Sequence, residues 1–135
     1  SQGSHTITIT ATDLAGNTKA GTITFTKDTV LPAITIPFPV NGTYRNAVFN
    51  FQANVFDVNY ASVAYQVDAL GSHSFTRNVS TLVDATDFAS LSQGSHTITI
   101  TATDLAGNTR AGNITFKKDT LSLGIRNWVG NGNGG

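Results

Sequence analysis

Cysteine and methionine are absent from the 135 residues, tryptophan occurs once and proline three times. Without cysteine there is no disulfide, no thiolate nucleophile and no cysteine-ligated zinc or iron–sulfur centre. Without methionine, Ser1 is not an initiator residue, and the chain is expected to be a window on a longer polypeptide. Charge is scarce as well: Asp, Glu, Lys and Arg make up only 12% of the chain, about half the usual share. Eight basic residues balance eight acidic ones. A neutral surface of Thr, Ser and Asn has no field to gather phosphate backbones or anionic headgroups, so neither nucleic acid nor a membrane surface is expected as a partner. No apolar run approaches the roughly 18–20 residues of a spanning helix, so no membrane insertion is expected in this segment.

Repetition is what the chain has in abundance. Residues 1–29 read SQGSHTITITATDLAGNTKAGTITFTKDT and residues 92–120 read SQGSHTITITATDLAGNTRAGNITFKKDT. They differ only at Lys19/Arg110, Thr22/Asn113 and Thr26/Lys117, at an offset of 91 residues. That period is too long for a helical solenoid and matches one β-sandwich domain. The chain divides accordingly into the C-terminal part of one repeat (1–29, its strands F and G), a complete repeat (30–120) and a glycine-rich tail or start of the next repeat (121–135).

Patterning within the repeat is that of half-buried strands. Ile98, Ile100 and Ala102 alternate with Thr97, Thr99, Thr101 and Thr103, which sets apolar residues on one face and threonines on the other. The turn cluster Asp104-Leu-Ala-Gly-Asn108 follows, and alternation resumes with Ile114 and Phe116, so the segment reads as a hairpin. Residues 6–25 repeat it. Phe49, Phe51, Ala53 and Val55 form one alternating run, and Val63, Tyr65 and Val67 another. Ile34 and Ile36 precede Pro37 and Pro39, which cannot donate ladder hydrogen bonds and so put this first strand at a sheet edge. Residues 75–79 and 85–91 supply weaker strand or turn material. Seven segments, A to G, are expected, with Phe49, Phe51, Val55, Val63, Tyr65, Val67, Ile98, Ile100, Ile114 and Phe116 as the core.

The ending GSHTITITATDLAGN, a further strand, Lys-Asp-Thr, and Val30-Leu31-Pro32 opening the next unit resemble the tandem bacterial Ig-like domains of prokaryotic cell-surface proteins and adhesins. The resemblance covers residues 1–120, whereas residues 121–135 lack the proline pair. It implies an all-β fold, an immunoglobulin-like antiparallel β-sandwich in tandem array. It also implies an extracellular location at the cell surface and a structural role in a rod, stalk or filament. Neighbouring repeats of the same chain or of adjacent subunits are the partners it implies. Calcium at domain junctions is a further implication. The alternative is an adhesive module that recognises a glycan or protein through its loops, for which the aromatics Tyr44, Tyr60 and Phe88 are the candidates.

Calcium needs six to eight hard oxygens, and Asp, Asn and backbone carbonyls supply them. Asp104 and Asn108 in the FG turn, Asp28 and Asp119 at the unit exits, and Asp57 and Asn59 after strand B are the candidates. Asp84 and Asp87 read as turn and surface residues. Three glycosylation sequons begin at Asn41, Asn78 and Asn113, the last created by one of the three differences between the copies. Each lysine falls at the polar end of a strand and is expected to be solvated. No nucleophile–base constellation, phosphate loop or dinucleotide fingerprint is present, and the histidines His5 and His96 are one duplicated position. The chain is therefore expected not to be an enzyme. Residues 4–25 alone form a hairpin with one apolar face, which is marginal in water. Its completion is expected from strands upstream in the same polypeptide, in preference to strands exchanged from another subunit. Leu121, Leu123, Ile125 and Val129 alternate well enough to add a strand to a partner.

Overall fold

The structure, a computed structural model, describes residues 1–123. Ten strands and one helix occur among them: β1 (Gly3–Thr12), β2 (Thr18–Lys27), β3 (Ala33–Phe38), β4 (Thr43–Arg45), β5 (Asn50–Phe56), β6 (Tyr60–Val67), β7 (Ser72–Ser74), β8 (Ser80–Leu82), α1 (Ala85–Ser90), β9 (Gly94–Asp104) and β10 (Thr109–Lys118). Residues 30–120 fold as an all-β sandwich. One sheet has the order β4-β10-β9-β6-β7 and the facing sheet the order β3-β5-β8. All pairings are antiparallel except that of β4, which runs parallel to β10.

Period-two alternation decides what is buried. All ten residues expected in the core are buried, joined by Ala53, Val83, Phe88 and Ala102. The aromatic rings meet edge to face, Phe49 on Phe116 at 5.0 Å and Phe51 on Tyr65 at 5.1 Å. As the prolines require, β3 is an edge strand. Its Ile34 and Ile36 lie against Gly112, where a Cβ atom would come within 3.3 Å of the Ile34 side chain. That glycine is what lets β3 approach β10.

The sandwich differs from the seven expected segments in three places. Residues 43–45 form the extra strand β4, Ser72–Ser74 and Ser80–Leu82 replace the expected segment at 75–79, and residues 85–90 are helical. The helix begins at Asp84, whose carboxylate accepts the Asp87 N–H at 2.9 Å as an N-cap. Six residues carry too little periodicity to be told from a turn. The lysine expectation also fails at Lys118, which is buried. Its Nζ donates to the carbonyl oxygens of Phe88 (2.8 Å), Leu91 (2.9 Å) and Ala89 (3.4 Å). These carbonyls lie at the C-terminal end of α1, where the Phe88 oxygen also accepts the Leu91 N–H at 3.2 Å, and a cation suits the partial negative charge that gathers there. The strand expected in the tail falls largely outside the described residues.

Among the described residues, β1 and β2 pair only with each other. Their register matches that of β9 and β10 position by position, from Gly3↔Lys27 as Gly94↔Lys118 to Thr12↔Thr18 as Thr103↔Thr109. Even the terminal ties recur: Gln2 with Thr29 and Gln93 with Thr120, both at 2.7 Å. Burial does not recur. Ile7, Ile9, Ile23 and Phe25 are 49, 56, 55 and 47% exposed, while Ile98, Ile100, Ile114 and Phe116 are 0, 0, 0 and 1% exposed.

This pairing of identical sequences in different surroundings makes a test. Ile100→Asp buries an unpaired carboxylate and should lose several kcal/mol, a large part of a domain's ~5–15. Ile9→Asp, at the matching position, should change stability by less than about 1 kcal/mol. Urea denaturation of the two variants distinguishes the positions; equal losses would mean that the first hairpin is packed like the second.

Candidate functional site

Alternation along β9 sets Asp104 on the face that carries Ile98, Ile100 and Ala102, at the strand end nearest the chain arriving from the first hairpin. The Asp104 side chain first serves its own turn. Oδ1 accepts the N–H groups of Ala106 and Asn108, both at 2.9 Å, and Oδ2 accepts the Asn108 side-chain amide at 2.8 Å. Gly107, at φ 91, supplies the left-handed position the loop requires. Burial works to raise the Asp104 pKa, but the hydrogen bonds from Asn108, Ala106 and Gly107 outweigh it and hold the carboxyl below its ordinary value. Asp13 and Asn17 of the first hairpin make the same bonds at 2.9, 2.9 and 2.8 Å. The turn is thus built by local sequence alone.

In the complete repeat that turn also grips the linker. Asn108 Nδ2 donates to the carbonyl oxygens of Asp28 (2.9 Å) and Val30 (3.4 Å), and Arg110 Nε donates to that of Pro32 (2.6 Å). From the other side, Asn59 Nδ2 donates to Asp28 Oδ2 at 2.7 Å, while the Asn59 carbonyl accepts the Leu105 N–H at 2.7 Å. Asp57 Oδ1 accepts the Asn59 N–H at 2.7 Å and fixes that loop. Five of the six expected residues, Asp28, Asp57, Asn59, Asp104 and Asn108, therefore meet at one end of the sandwich. Asp119 does not join them. It follows β10 at the far end, where its N–H donates to the Arg45 carbonyl at 2.8 Å and its Oδ1 accepts the Leu121 N–H at 3.1 Å.

One carboxylate oxygen from each of Asp28, Asp57 and Asp104 lies within 4.8 Å of the other two. Oxygens on opposite sides of a calcium ion stand about 5 Å apart, so the donors fit such an ion in hardness and spacing. Beside them, a cleft of about 720 Å³ opens between the first hairpin and the sandwich, with Lys27, Leu31, Phe56 and Val58 on its walls.

The other expected sites are scattered. Tyr44 is 69% exposed, with Lys117 Nζ at 5.3 Å from its ring. Tyr60 is half-buried under the Arg77 guanidinium, 3.7 Å from the ring centre. Phe88 is not a loop aromatic at all: it is buried on α1, edge-on to Phe49 at 6.4 Å, and packs the helix onto the core. The three sequon asparagines are exposed. Asn41 Oδ1 accepts the Thr115 N–H at 3.0 Å, Asn78 Oδ1 accepts the Val55 N–H at 2.8 Å, and Asn113 faces outward on β10.

Two features escaped the sequence reading. Arg110 was visible only as a conservative Lys19/Arg110 exchange, and its reach to Pro32 depends on how β3 folds back. Asp68 lies 2.6 Å from His96 Nδ1 and also accepts the Thr97 N–H at 3.0 Å. Burial raises the Asp68 pKa, and these bonds outweigh it and lower it. Among the described residues no strand lies beside the first hairpin to offer His5 a matching carboxylate.

No family model matches the chain, and no curated protein matches it either. Among solved structures, the endo-β-1,4-mannanase from Thermotoga petrophila superposes with a TM-score of 0.51 at 18% sequence identity. The match covers 70% of this chain and 21% of that one. At this identity the likeness is one of fold. It corrects the expectation that the chain is not an enzyme: a sandwich like this one forms a fifth of a chain that is a mannanase. The lack of a catalytic motif in such a stretch therefore does not separate it from enzymes.

Asp104 should leave a mark on acid stability. A carboxyl whose folded-state pKa is depressed contributes stability above the unfolded value of about 4, and the contribution is lost as pH falls through the folded value. Urea midpoints measured downward from pH ~5 should fall less steeply for Asp104→Asn than for the parent. An unchanged acid limb would show that the carboxylate has no such role.

Proposed function

We propose that this chain is a structural repeat unit of an extracellular rod, stalk or filament on a prokaryotic cell surface, built of immunoglobulin-like sandwiches in tandem. The observation that carries this reading is the grip of the Asp104–Asn108 turn on residues 28–32. A rod needs a fixed angle between successive units, and an unheld linker of five residues would leave that angle free. Here Asn108, Arg110 and Asn59 tie linker atoms from Asp28 to Pro32 to the sandwich. The turn recurs in the first hairpin with its geometry intact, as befits a device used at successive junctions. Asp28, Asp57 and Asp104 are the residues that would hold a calcium ion at the junction, where it would offset three converging negative charges. The exposed sequon asparagines suit a glycosylated surface protein.

A second reading is a binding module, favoured by the cleft beside Phe56 and Val58, which are 68 and 100% exposed. A glycan or a protein is the ligand class that such an apolar wall with polar margins suits. Attachment to a glycan-degrading enzyme is consistent with the mannanase likeness.

Asn108→Ala removes the amide shared by turn and linker and should cost about 1–3 kcal/mol. Small-angle scattering should then report a broader distribution of hairpin-to-sandwich distances, whereas Asn17→Ala should leave that distribution unchanged. A distribution unaltered by Asn108→Ala would remove the fixed-junction argument. Calcium is tested separately: the melting temperature should rise by mass action in millimolar Ca²⁺ relative to EDTA, and Asp57→Asn should abolish the rise. Identical parental curves in the two buffers would eliminate the ion.

A further inference from the structure

We propose that the carboxylates of Asp28, Asp57 and Asp104 form an ion pair across the junction with an arginine of the preceding repeat, the residue that matches Arg45. The partner is thus a preceding copy of the body formed by residues 30–91. The inference deepens the tandem reading and rests on it.

The duplicated segment places that arginine. Residues 92–120 show what surrounds the end of the hairpin when the body of its repeat is present: the Asp119 N–H donates to the Arg45 carbonyl at 2.8 Å, and Lys118 stands in parallel register with Arg45. Asp119 is the position of Asp28 one period later. The match runs past the hairpin register into the linker, because Asp28 Oδ1 accepts the Val30 N–H at 3.0 Å and Asp119 Oδ1 accepts the Leu121 N–H at 3.1 Å. A body that precedes residues 1–29 in the same relation therefore sets its counterpart of Arg45 against the backbone of Asp28. One carboxylate oxygen of Asp28 in turn lies within 4.8 Å of one from each of Asp57 and Asp104.

Charge and unmet hydrogen bonding both favour the contact. Arg45 is half-buried, its Nε is buried without a hydrogen-bond partner, and its guanidinium lies over the Phe49 ring at 4.7 Å. Among the described residues no carboxylate pairs with it. A donor left in that state costs stability, which an acceptor from the next repeat recovers. On the carboxylate side three negative charges converge, and a calcium ion among them would leave one unmatched. A guanidinium supplies that charge, with paired N–H donors suited to a carboxylate. The other cations nearby are engaged: Arg110 Nε with the Pro32 carbonyl at 2.6 Å, and Arg77 with the Val55 carbonyl at 3.2 Å and the Tyr60 ring. Lys27 lines the cleft beside Asp28 and Asp57, but it is the counterpart of Lys118, whose Nζ is taken up by the carbonyls of α1, and a complete preceding repeat draws Lys27 to the same acceptors.

Adding a copy of residues 30–91 ahead of Ser1 of the full chain completes the preceding repeat, since residues 1–29 then follow that copy as residues 92–120 follow the original. Arg45 now occurs twice, and only the added copy's Arg45 faces Asp28. The substitution Arg45→Gln removes the charge and keeps a long side chain over Phe49. Made in the added copy and measured in EDTA, it should broaden the distribution of distances between the two sandwiches in small-angle scattering. The same substitution in the original copy should leave the distribution unchanged, so any loss that comes only from the packing on Phe49 is subtracted. Asp57→Arg in the original copy should also broaden the distribution, and combining it with Arg45→Asp in the added copy should restore the parental one. Asn108→Ala in the original copy tests the grip on the linker separately. The proposal is overturned if Arg45→Gln acts equally from either copy, if the charge exchange restores nothing, or if Asn108→Ala alone broadens the distribution. That last outcome leaves the fixed-junction reading standing, whereas no effect from either Asn108→Ala or Arg45→Gln would overturn both.

Discussion

A β-hairpin that carries isoleucine and phenylalanine along one face needs a second sheet to cover it, and most of this structure follows from that requirement. Where the cover exists, β5 and β8 with α1 bring Phe49, Phe51, Val55, Val83 and Phe88 over Ile98, Ile100, Ile114 and Phe116, and the four residues of the hairpin disappear from solvent. Among the described residues nothing covers the first hairpin, and it still keeps the same register, turn and terminal ties. Backbone pairing and local turns thus hold the strands together, and burial is what joins them to the rest of the molecule. Burial is also where the larger stabilisation lies, at about 25 cal/mol per Å² of apolar surface removed from water.

The same economy governs the linker. Asp13 and Asp104 hold the same turn in the two hairpins, but only in the sandwich does the turn meet a chain segment to grip. Asn108 is the hinge between these two tasks, bonded to Asp104 within the turn and to the carbonyls of Asp28 and Val30 across it. One amide therefore couples the closure of β9 and β10 to the direction in which the linker leaves the preceding hairpin. The carboxylates that gather there do so because three unrelated local rules converge: strand alternation at Asp104, a loop at Asp57 and a linker turn at Asp28, whose Oδ1 accepts the Val30 N–H at 3.0 Å. Lys118 shows a comparable coupling at the opposite end, where one ammonium ties the last strand to the last turn of α1.

Several elements were legible in the residues. The alternation in β5, β6, β9 and β10 identified every expected core residue, and the prolines identified β3 as an edge. Asp and Asn at loop positions marked five of the residues that meet at the linker. What escaped notice was short or depended on distant partners. β4, β7 and β8 have three residues each, too few for a period to register. Phe88 read as a loop aromatic because its helix is a single capped turn, and Lys118 read as solvated because its acceptors lie in that same turn. Asp68 gave no signal, since its partner His96 is 28 residues away and the two meet only when β6 and β9 pair.

The sequence by itself determined the hairpin: register, the Asp-Leu-Ala-Gly-Asn turn and the ties at its ends are the same in both occurrences because their interactions span neighbouring residues or directly paired strands. Tertiary structure alone decided which of two nearly identical hairpins has a buried face, which asparagine grips a linker and which lysine caps a helix. The physical reason is that burial and long-range hydrogen bonds belong to a pair of surfaces, and a segment carries only one of the two.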